Sequence, residues 1–406
     1  MTHDLSSIRA AFPILAQQVH GKRLVYLDSA NTTQKPREVI EALTHFYSHD
    51  NANIHRATHL LSERATRLYD EARRKVQRFV GAADAREIVF TRGTTEAINL
   101  VAWSYAQPRL APGDRIVVSE MEHHSNIVPW QMVCRATGAE LDVIPMDGRG
   151  VLDLDAYEAL LGPRTRLVSI IHVSNALGTV NPVAEMVALA RARGIATLVD
   201  GAQSVAHMPV DVQALGCDFF AFSGHKMYGP TGIGALYGRL PVLESMPPWM
   251  GGGDMIASVT FAHTEFADVP NRFEAGTPNI AGVVGFGAAL DFLSRFDMRD
   301  VAAHDAALLA RATDGLSSLP GVRLIGTATE RAGAVSFVID GVHPHDIGTV
   351  LDREGIAIRT GQHCAQPVMD HFGVSATARA SFGLYNGADD IDALIDGVRQ
   401  VQAFFR

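Results

Sequence analysis

The segment AFSGHKMYGPTGIG, residues 221–234, begins with the last two residues of the apolar run CDFFAF and places a lysine, Lys226, just beyond the end of that run. A serine and a histidine precede this lysine, and several glycines follow it. For a lysine taken alone, a position in a surface loop is the usual interpretation. In an open α/β sheet, however, ligands bind beyond the carboxyl ends of the strands. The residues around Lys226 therefore indicate whether it lies in an ordinary surface loop or in a ligand-binding site.

The sequence around this segment predicts a mostly parallel sheet covered by helices on both faces. Short apolar runs rich in Val, Ile and Phe alternate with helix-length segments from about residue 85 to 240, which is typical of such a sheet. The candidate strands are EIVF at 87–90, RIVVS at 115–119, LDVIP at 141–145, RLVSIIHV at 166–173, IATLVD at 195–200, DFFAFS at 218–223 and GALYG at 234–238.

A second block begins near residue 293 and alternates helices with the strand candidates VRLIG, AVSFVID, IAIRT and ARASFG. This pattern predicts a compact α+β unit, against which the N-terminal segment packs. We therefore expect a large domain of residues 20–292 and a smaller α+β domain of residues 1–19 and 293–406. Residues 247–279 fit neither block, and their alternation predicts a projecting hairpin.

Composition excludes several classes of function. The 406 residues carry a formal net charge of −9, which disfavours binding to nucleic acid or to an anionic membrane. No apolar stretch is long enough to span a bilayer, and no export signal is recognisable. The three cysteines, Cys134, Cys217 and Cys364, lie far apart, so we expect neither a disulfide framework nor a zinc site. Free cysteines suit a reducing compartment, so we expect a cytoplasmic location.

Polar residues collect directly after the predicted strands. EIVF is followed by a glycine and two threonines at the start of a helix, where free N–H groups favour an anion such as a phosphate. The polar residues after the other strands are His123, Asn175, Asp200 with Gln203, and Ser223 with His225 and Lys226. A phosphate site, a carboxylate, amides, a flat histidine and a lysine together suit pyridoxal 5′-phosphate (PLP), whose aldehyde forms a Schiff base with lysine.

Each of these residues has an ordinary structural interpretation when it is taken alone. Asp200 could cap a helix, and Ser223 or Thr94 could belong to turns. His123 and His124 could be a surface pair, and no further ligand at suitable spacing completes a metal site. GIGALYG leads into a strand rather than a helix, which argues against a dinucleotide-binding loop. Their joint placement at successive strand ends favours the cofactor site.

Nine segments together resemble the group II cysteine desulfurases, the branch that contains the SUF-type and CSD-type enzymes. The segments are YLDSANTTQKP, NIHRATHLLSERAT, FTRGTTEAINLVA, EMEHHSNIVPWQ, HVSNALGTVNPV, VDGAQSVAHMPVDV, FSGHKMYGPTGIGALYG, RFEAGTPNI and IRTGQHCAQPVMDHFGV. The resemblance implies PLP fold type I, a homodimer, and removal of sulfur from L-cysteine to leave L-alanine. It also implies an enzyme persulfide that is passed to an acceptor protein for iron–sulfur cluster assembly or a related sulfur supply.

The resemblance also implies a role for each matching residue. Lys226 is the Schiff-base lysine, Asp200 is the partner of the pyridine nitrogen, and His123 stacks on the ring and serves in proton transfer. Asn175 and Gln203 hydrogen-bond near the ring oxygen. The matching phosphate binders are Thr94, Thr95, Ser223 and His225, with Thr277 supplied by the partner subunit.

The substrate-binding residues implied by the same resemblance are Arg379, Arg359, Asn175, Ala30 and His55. Arg379 lies in the strand-like run ATARASFG, where an arginine is unusual unless it binds an anion. A guanidinium fork suits the α-carboxylate of the substrate.

Cys364 is the candidate sulfur acceptor. It lies in RTGQHCAQP, next to His363 and near Arg359, where we expect an accessible thiol of lowered pKa. Cys134 and Cys217 lie in apolar surroundings and are expected to be inert. Gln362 stands where many SUF-type sequences have histidine, so the SUF or CSD branch and the identity of the acceptor stay open.

Two other activities compete with desulfuration. A fold type I aminotransferase or kynureninase-like enzyme would share Lys226 and Asp200 but would not need Cys364, whereas a selenocysteine lyase would need it less. The short cysteine loop predicts dependence on an acceptor protein that docks over Cys364. We expect the hairpin at 251–268 to narrow the entrance to the site from the other subunit.

Overall fold

The computed structural model describes residues 5–405 and contains a central seven-stranded sheet. Its strands, in spatial order, are Ile88–Thr91, Gly234–Gly238, Phe219–Ser223, Ala196–Asp200, Thr165–Ile171, Arg115–Ser119 and Glu140–Ile144. Strand Gly234–Gly238 is antiparallel to both neighbours, and the other adjacent pairs are parallel. The predicted large, mostly parallel sheet of an α/β fold is confirmed.

The apolar runs form strands because both faces of the sheet are covered. Every residue of Phe219–Ser223 is buried, as expected for a strand between two layers. Successive side chains alternate between two apolar clusters, so Phe220 and Phe222 belong to one and Phe219 and Ala221 to the other. Both faces of this strand are therefore covered, and its carboxyl end leads directly into the turn that carries Lys226.

Helices flank the central sheet and the second block. The longer α-helices are Arg37–His45, Leu60–Val80, Val128–Thr137, Val183–Ala192, Ile280–Leu293, Met298–Ser317, Pro344–Arg353 and Ala388–Phe404. The shorter α-helices are Leu5–Ala10, Thr94–Leu100, Leu154–Leu160, Ser204–His207, Val212–Leu215, Leu240–Glu244 and Gln366–His371. Helix Val128–Thr137 ends at Gly138, whose φ of 76° is the left-handed conformation expected of a terminating glycine.

The second block contains a four-stranded antiparallel sheet in the order Val322–Ile325, Ala334–Ile339, Thr377–Ser381 and Arg359–Gly361. The predicted single strand IAIRT is divided in two. Residues Ile356–Ala357 pair in parallel with Val25–Tyr26 of the N-terminal segment, whereas Arg359–Gly361 pairs with Thr377–Ser381. The chain thus passes from its pairing with Val25–Tyr26 into the four-stranded sheet, directly before the loop that contains Cys364.

A two-stranded hairpin, Ile256–Val259 with Thr264–Phe266, lies within the segment predicted to project. Its side chains are mostly exposed, and Phe261 at the tip is fully exposed. A second short hairpin pairs Gln18–Val19 with Lys22–Arg23. Among residues 5–405, no helix combines the length and the apolar character needed to cross a membrane.

Candidate active site

A cavity of about 200 Å³ lies at the carboxyl edge of the parallel strands. Of the fifteen side chains predicted from the sequence to form the site, twelve line this cavity. They are Ala30, Thr94, Thr95, His123, Asn175, Asp200, Gln203, Ser223, His225, Lys226, Arg359 and Cys364. The cavity therefore brings together residues that are separated by more than three hundred positions in the chain.

Lys226 and Asp200 both line the cavity, at the ends of neighbouring strands. Lys226 closes a short turn, Gly224–Lys226, directly after strand Phe219–Ser223, and Asp200 is the last residue of the neighbouring strand. Burial lowers the pKa of Lys226 to about 8, although the Asp200 carboxylate acts in the opposite direction. Burial likewise raises the pKa of Asp200, while the Ala202 N–H, which donates to Oδ1 at 2.9 Å, lowers it. The pair thus provides an amine that is about half neutral at pH 8 beside a buried acid.

His123 lies at the start of the turn that follows strand Arg115–Ser119. Its Nδ1 accepts hydrogen bonds from the backbone N–H of Ser125 at 3.1 Å and from the Ser125 hydroxyl at 2.7 Å. Burial and, secondarily, the charge of Lys226 lower the pKa of His123 to about 3. The imidazole is therefore neutral, with its proton on Nε2, and presents a flat uncharged ring to the cavity.

The glycine loop before helix Thr94–Leu100 packs closely on Ser223. The Thr94 N–H donates to Ser223 Oγ at 2.9 Å, and the two hydroxyls lie 2.7 Å apart. Gly93 has a φ of 149°, and a Cβ at this position would approach Ser223 Oγ to 3.1 Å. Glycine is thus required for the close approach. Thr95 and His225 complete this polar end of the cavity.

The two amides of the cavity hold neighbouring backbone. Asn175 Nδ2 donates to the His363 carbonyl at 2.7 Å, and Gln203 Nε2 donates to the Ala30 carbonyl at 2.9 Å. Asn175 Oδ1 is buried and has no hydrogen-bond partner among residues 5–405. Because buried polar atoms are normally paired, this oxygen indicates a donor from a bound molecule.

The cysteine loop has an unusual backbone. His363 and Cys364 both have a φ of 54°, in the left-handed region that non-glycine residues rarely adopt. The Cys364 carbonyl accepts from the backbone N–H of His124 at 2.7 Å. Arg359 Nη2 lies 3.5 Å from Cys364 Sγ, and its Nη1 donates to Asn31 Oδ1 at 3.0 Å. The guanidinium thus holds a positive charge beside the thiol.

His363 does not contribute such a charge, contrary to the expectation from its position next to Cys364. Its side chain is buried, and Nε2 lies 2.8 Å from the Thr377 hydroxyl. Burial, with help from Arg379 and Arg359, lowers the pKa of His363 to about 2. The imidazole is neutral and fixes the loop rather than polarising the thiol, so Arg359 is the cation beside Cys364.

Three predicted residues do not line this cavity. Arg379 is fully buried, donating from Nη1 to the Asn175 carbonyl at 2.7 Å and from Nη2 to Asp28 Oδ1 at 3.3 Å. The anion predicted from its mid-strand position is therefore, within this chain, Asp28. Thr277 lines a separate cavity with Arg92 and Glu96, and His55 lines a third.

The sequence did not single out Glu122, which is buried and contacts residues on both sides of the histidine segment, residues 120–125. Glu122 Oε1 accepts from the Ser119 hydroxyl at 2.5 Å and from the Ile171 N–H at 2.9 Å, and Oε2 accepts from Asn126 at 2.6 Å. Burial raises the pKa of this carboxyl to about 8. An acidic residue directly before His123 was the available signal. The cavity residues Asn31, Ser125, Ile171 and Ala202 were also not singled out.

Comparison with known proteins agrees with this geometry. The family model described as aminotransferase class-V matches residues 25–394. The chain belongs to this family. Class-V aminotransferase-family enzymes, cysteine desulfurases among them, carry PLP. The large sheet and the lysine cavity are thus those of a PLP fold type I protein.

Similar proteins within the aminotransferase class-V family are named as cysteine desulfurases. A probable cysteine desulfurase of Halalkalibacterium halodurans is 52% identical over 98% of both chains. Probable cysteine desulfurase 1 of Mycobacterium leprae is 53% identical over 98% of this chain and 65% of its own length. The crystal structure of the cysteine desulfurase CsdA from Escherichia coli superposes with a TM-score of 0.93 at 43% identity, over 100% of both chains. The chain spans 58% to 65% of the length of three curated relatives.

Proposed function

We propose that the protein is a PLP-dependent cysteine desulfurase that converts L-cysteine into L-alanine and leaves the sulfur on Cys364 as a persulfide. The observation that carries this proposal is the placement of Lys226, Asp200 and Cys364 around one cavity. An amine and a buried acid suit many PLP enzymes, but a thiol beside a guanidinium in the same cavity suits sulfur transfer.

The residues of the cavity fit PLP. Lys226 Nζ makes no hydrogen bond or ion pair within residues 5–405, and Asn175 Oδ1 is buried without a partner. Lys226 would hold the cofactor, Asp200 would keep its ring nitrogen protonated, and His123 would pack on the ring. The phosphate binders would be Thr94, Thr95, Ser223 and His225, with Gln203 near the ring oxygen. When bound, PLP supplies an electron sink for carbanionic chemistry.

The chain's own residues account for the proton transfers. Because its pKa lies near 8, Lys226 can take a proton from the substrate Cα and return one at neutral pH. The uncharged His123 ring can donate from Nε2 to a group in the cavity. Arg359 holds the Cys364 thiol and, with Asn175, would bind the substrate carboxylate. Arg379 is retained as a further proposed ligand of that carboxylate, for which it would have to exchange its present partner Asp28.

The sulfur transfer is a displacement at sulfur. The Cys364 thiolate forms a bond to the substrate sulfur while the bond between that sulfur and Cβ breaks. The electron pair of the broken bond stays with the carbon skeleton, and protonation at Cβ and Cα gives alanine. The substrate sulfur stays on Cys364, so no external oxidant is needed.

The remaining features of the proposal concern partners. We propose a homodimer in which Thr277 and the hairpin at 251–268 of one subunit approach the site of the other. The exposed position of that hairpin and the separation of Thr277 from Lys226 within one chain support this arrangement. His55 lines a different cavity from Lys226. We propose it as a substrate-binding residue only if the dimer brings it to the site of the other subunit. We further propose a dedicated sulfur-acceptor protein of the SUF or CSD type and a cytoplasmic location, where the three free thiols are stable.

We also propose that residues 20–292 form the cofactor-binding domain and that residues 1–19 and 293–406 form the smaller one. The four-stranded sheet with its own apolar cluster supports this division. The pairing of Val25–Tyr26 with Ile356–Ala357 extends the contact of the N-terminal segment beyond residue 19.

The test is alanine formation from L-cysteine by the PLP-loaded protein and its Cys364→Ala variant. We expect the variant to retain the cofactor absorbance and to lose alanine formation, and Cys134→Ala to behave as the parent protein. An aminotransferase or kynureninase-like enzyme would be nearly indifferent to Cys364→Ala, and that result would refute the proposal. Activity of Cys364→Ala on selenocysteine alone would indicate an additional lyase activity.

A further inference from the structure

We propose that His124 is a positioning residue that holds Cys364 at a fixed place relative to the cofactor cavity. The proposal concerns the geometry of the cysteine loop, and its catalytic consequence rests on the proposed desulfurase function. Three observations carry it: the strained loop backbone, the hydrogen bonds of His124 to that loop, and the adjacency of His124 to His123, which lines the cofactor cavity.

The first observation is that the loop backbone must be held by its surroundings. Two consecutive non-glycine residues, His363 and Cys364, have a φ of 54°. Such conformations persist only where neighbouring contacts determine them. Asn175 Nδ2 donates to the His363 carbonyl, and the His124 backbone N–H donates to the Cys364 carbonyl, both at 2.7 Å. Residues of the cofactor cavity and of the histidine segment therefore hold the carbonyls of both strained residues.

The second observation is a side-chain contact of His124 with the same loop. The backbone N–H of Gln366 donates to His124 Nε2 at 3.1 Å. Helix Gln366–His371 has no side-chain cap from its own N-cap residue, Ala365, so the imidazole supplies an acceptor that the local sequence does not. This contact requires the neutral tautomer of His124 with its proton on Nδ1.

The far end of the same helix is held by the same segment. Glu120 Oε1 lies 3.1 Å from His371 Nδ1, and Glu120 Oε2 accepts from the Met146 N–H at 3.0 Å. Residues 120–124 therefore contact both ends of the helix that follows Cys364. Neither contact involves a group that lines the cofactor cavity.

The third observation is that two adjacent residues contact different parts of the same site, the cofactor cavity and the cysteine loop. His123 lines the cavity that contains Lys226, whereas the next residue, His124, holds the cysteine loop. The two contacts are made by consecutive residues, and the preceding buried Glu122 accepts from the Ser119 hydroxyl and from the Asn126 side chain on either side of them in the chain. We infer that this arrangement sets the distance over which the Cys364 thiol must reach the substrate sulfur.

The experiment compares His124→Ala with His124→Gln, because a glutamine side-chain oxygen can accept from Gln366 and an alanine cannot. His20→Ala is the control, since His20 is exposed and pairs with Asp352. The first measurement is the rate at which iodoacetamide alkylates Cys364 in the cofactor-free protein, followed by peptide mass spectrometry. We expect His124→Ala to raise this rate about fivefold, the factor that corresponds to one net hydrogen bond, and His124→Gln to restore it.

The second measurement is steady-state alanine formation by the PLP-loaded variants. We expect His124→Ala to lower kcat with little change in KM and without change in the cofactor absorbance, and His124→Gln to recover most of kcat. Glu120→Gln, which weakens the contact with His371 at the far end of the helix and not the contact of His124 with Gln366, should give a smaller increase in alkylation. This variant also decides the matter if His124→Ala does not fold.

Three results would overturn the proposal. They are an unchanged alkylation rate in both His124→Ala and Glu120→Gln, equal behaviour of His124→Ala and His124→Gln, or an effect of His20→Ala as large as that of His124→Ala. If the parent protein forms no alanine, the proposed function fails, whereas the alkylation rates still decide the role of His124.

Discussion

The lowered pKa of Lys226 gives a quantitative prediction that needs neither cofactor nor substrate. A pKa of about 8 in place of the ordinary 10.5 means that about half of the Lys226 side chains are neutral at pH 8, against about 0.3% for an unperturbed lysine. The neutral, reactive fraction is therefore about 150-fold larger. Desolvation in the cavity is the main cause, and Asp200 opposes it.

The assay is competitive labelling of the cofactor-free protein with trace acetic anhydride between pH 6 and 11, with peptide mass spectrometry of the Lys226 peptide. The same peptide in denatured protein serves as the reference. We expect a labelling midpoint near pH 8 in the folded protein. Asp200→Asn should move it lower, because the carboxylate stabilises the ammonium form, whereas Asp352→Asn at an exposed site should not. A midpoint near pH 10, or an upward shift in Asp200→Asn, would refute this account of the cavity.

Two further predictions concern the backbone around the site. Gly93→Ala should lower the free energy of unfolding by about 1–3 kcal/mol, because the backbone conformation is strained for alanine and the new Cβ approaches Ser223 Oγ to 3.1 Å. Gly253→Ala, where a Cβ meets nothing within 4 Å, is the control, and equal melting temperatures of the two variants would contradict the prediction. Lys35 donates to the Thr33 and His225 carbonyls, and burial lowers its pKa to about 7. Because the unfolded state then binds more protons between pH 7 and about 10.5, the contribution of Lys35 to stability rises with pH across that window. The loss of melting temperature in Lys35→Met should therefore be larger at pH 9 than at pH 7, and an equal loss at both would count against it.

The sequence was sufficient for the features that depend on short segments. Short apolar runs rich in Val, Ile and Phe predicted all seven strands of the large sheet, with boundaries that differ from the structure by at most two residues. The polar residues directly after those runs were then placed together by one rule of parallel sheets. Lys226 and Asp200 illustrate this, since both follow from their position at adjacent strand ends.

The features that the sequence did not predict depend on contacts between distant segments. Asp28 and Arg379 are 351 residues apart, and nothing near either residue indicates the pair. The imidazole of His363 is neutral because it is buried against Thr377, a contact that its neighbours in the chain do not reveal. The strand predicted at 356–360 is divided because its two halves pair with different segments, Val25–Tyr26 and Thr377–Ser381.

The most direct test of the central claim is a single turnover. The PLP-loaded protein is mixed with one equivalent of L-cysteine, and alanine is quantified together with the peptide that carries the added sulfur atom. The account predicts equal amounts of alanine and of persulfide on Cys364, with Cys134 and Cys217 unmodified. Alanine formed in equal yield by Cys364→Ala, or sulfur recovered on another cysteine, would contradict the claim that Lys226 and Cys364 act on one substrate in one cavity.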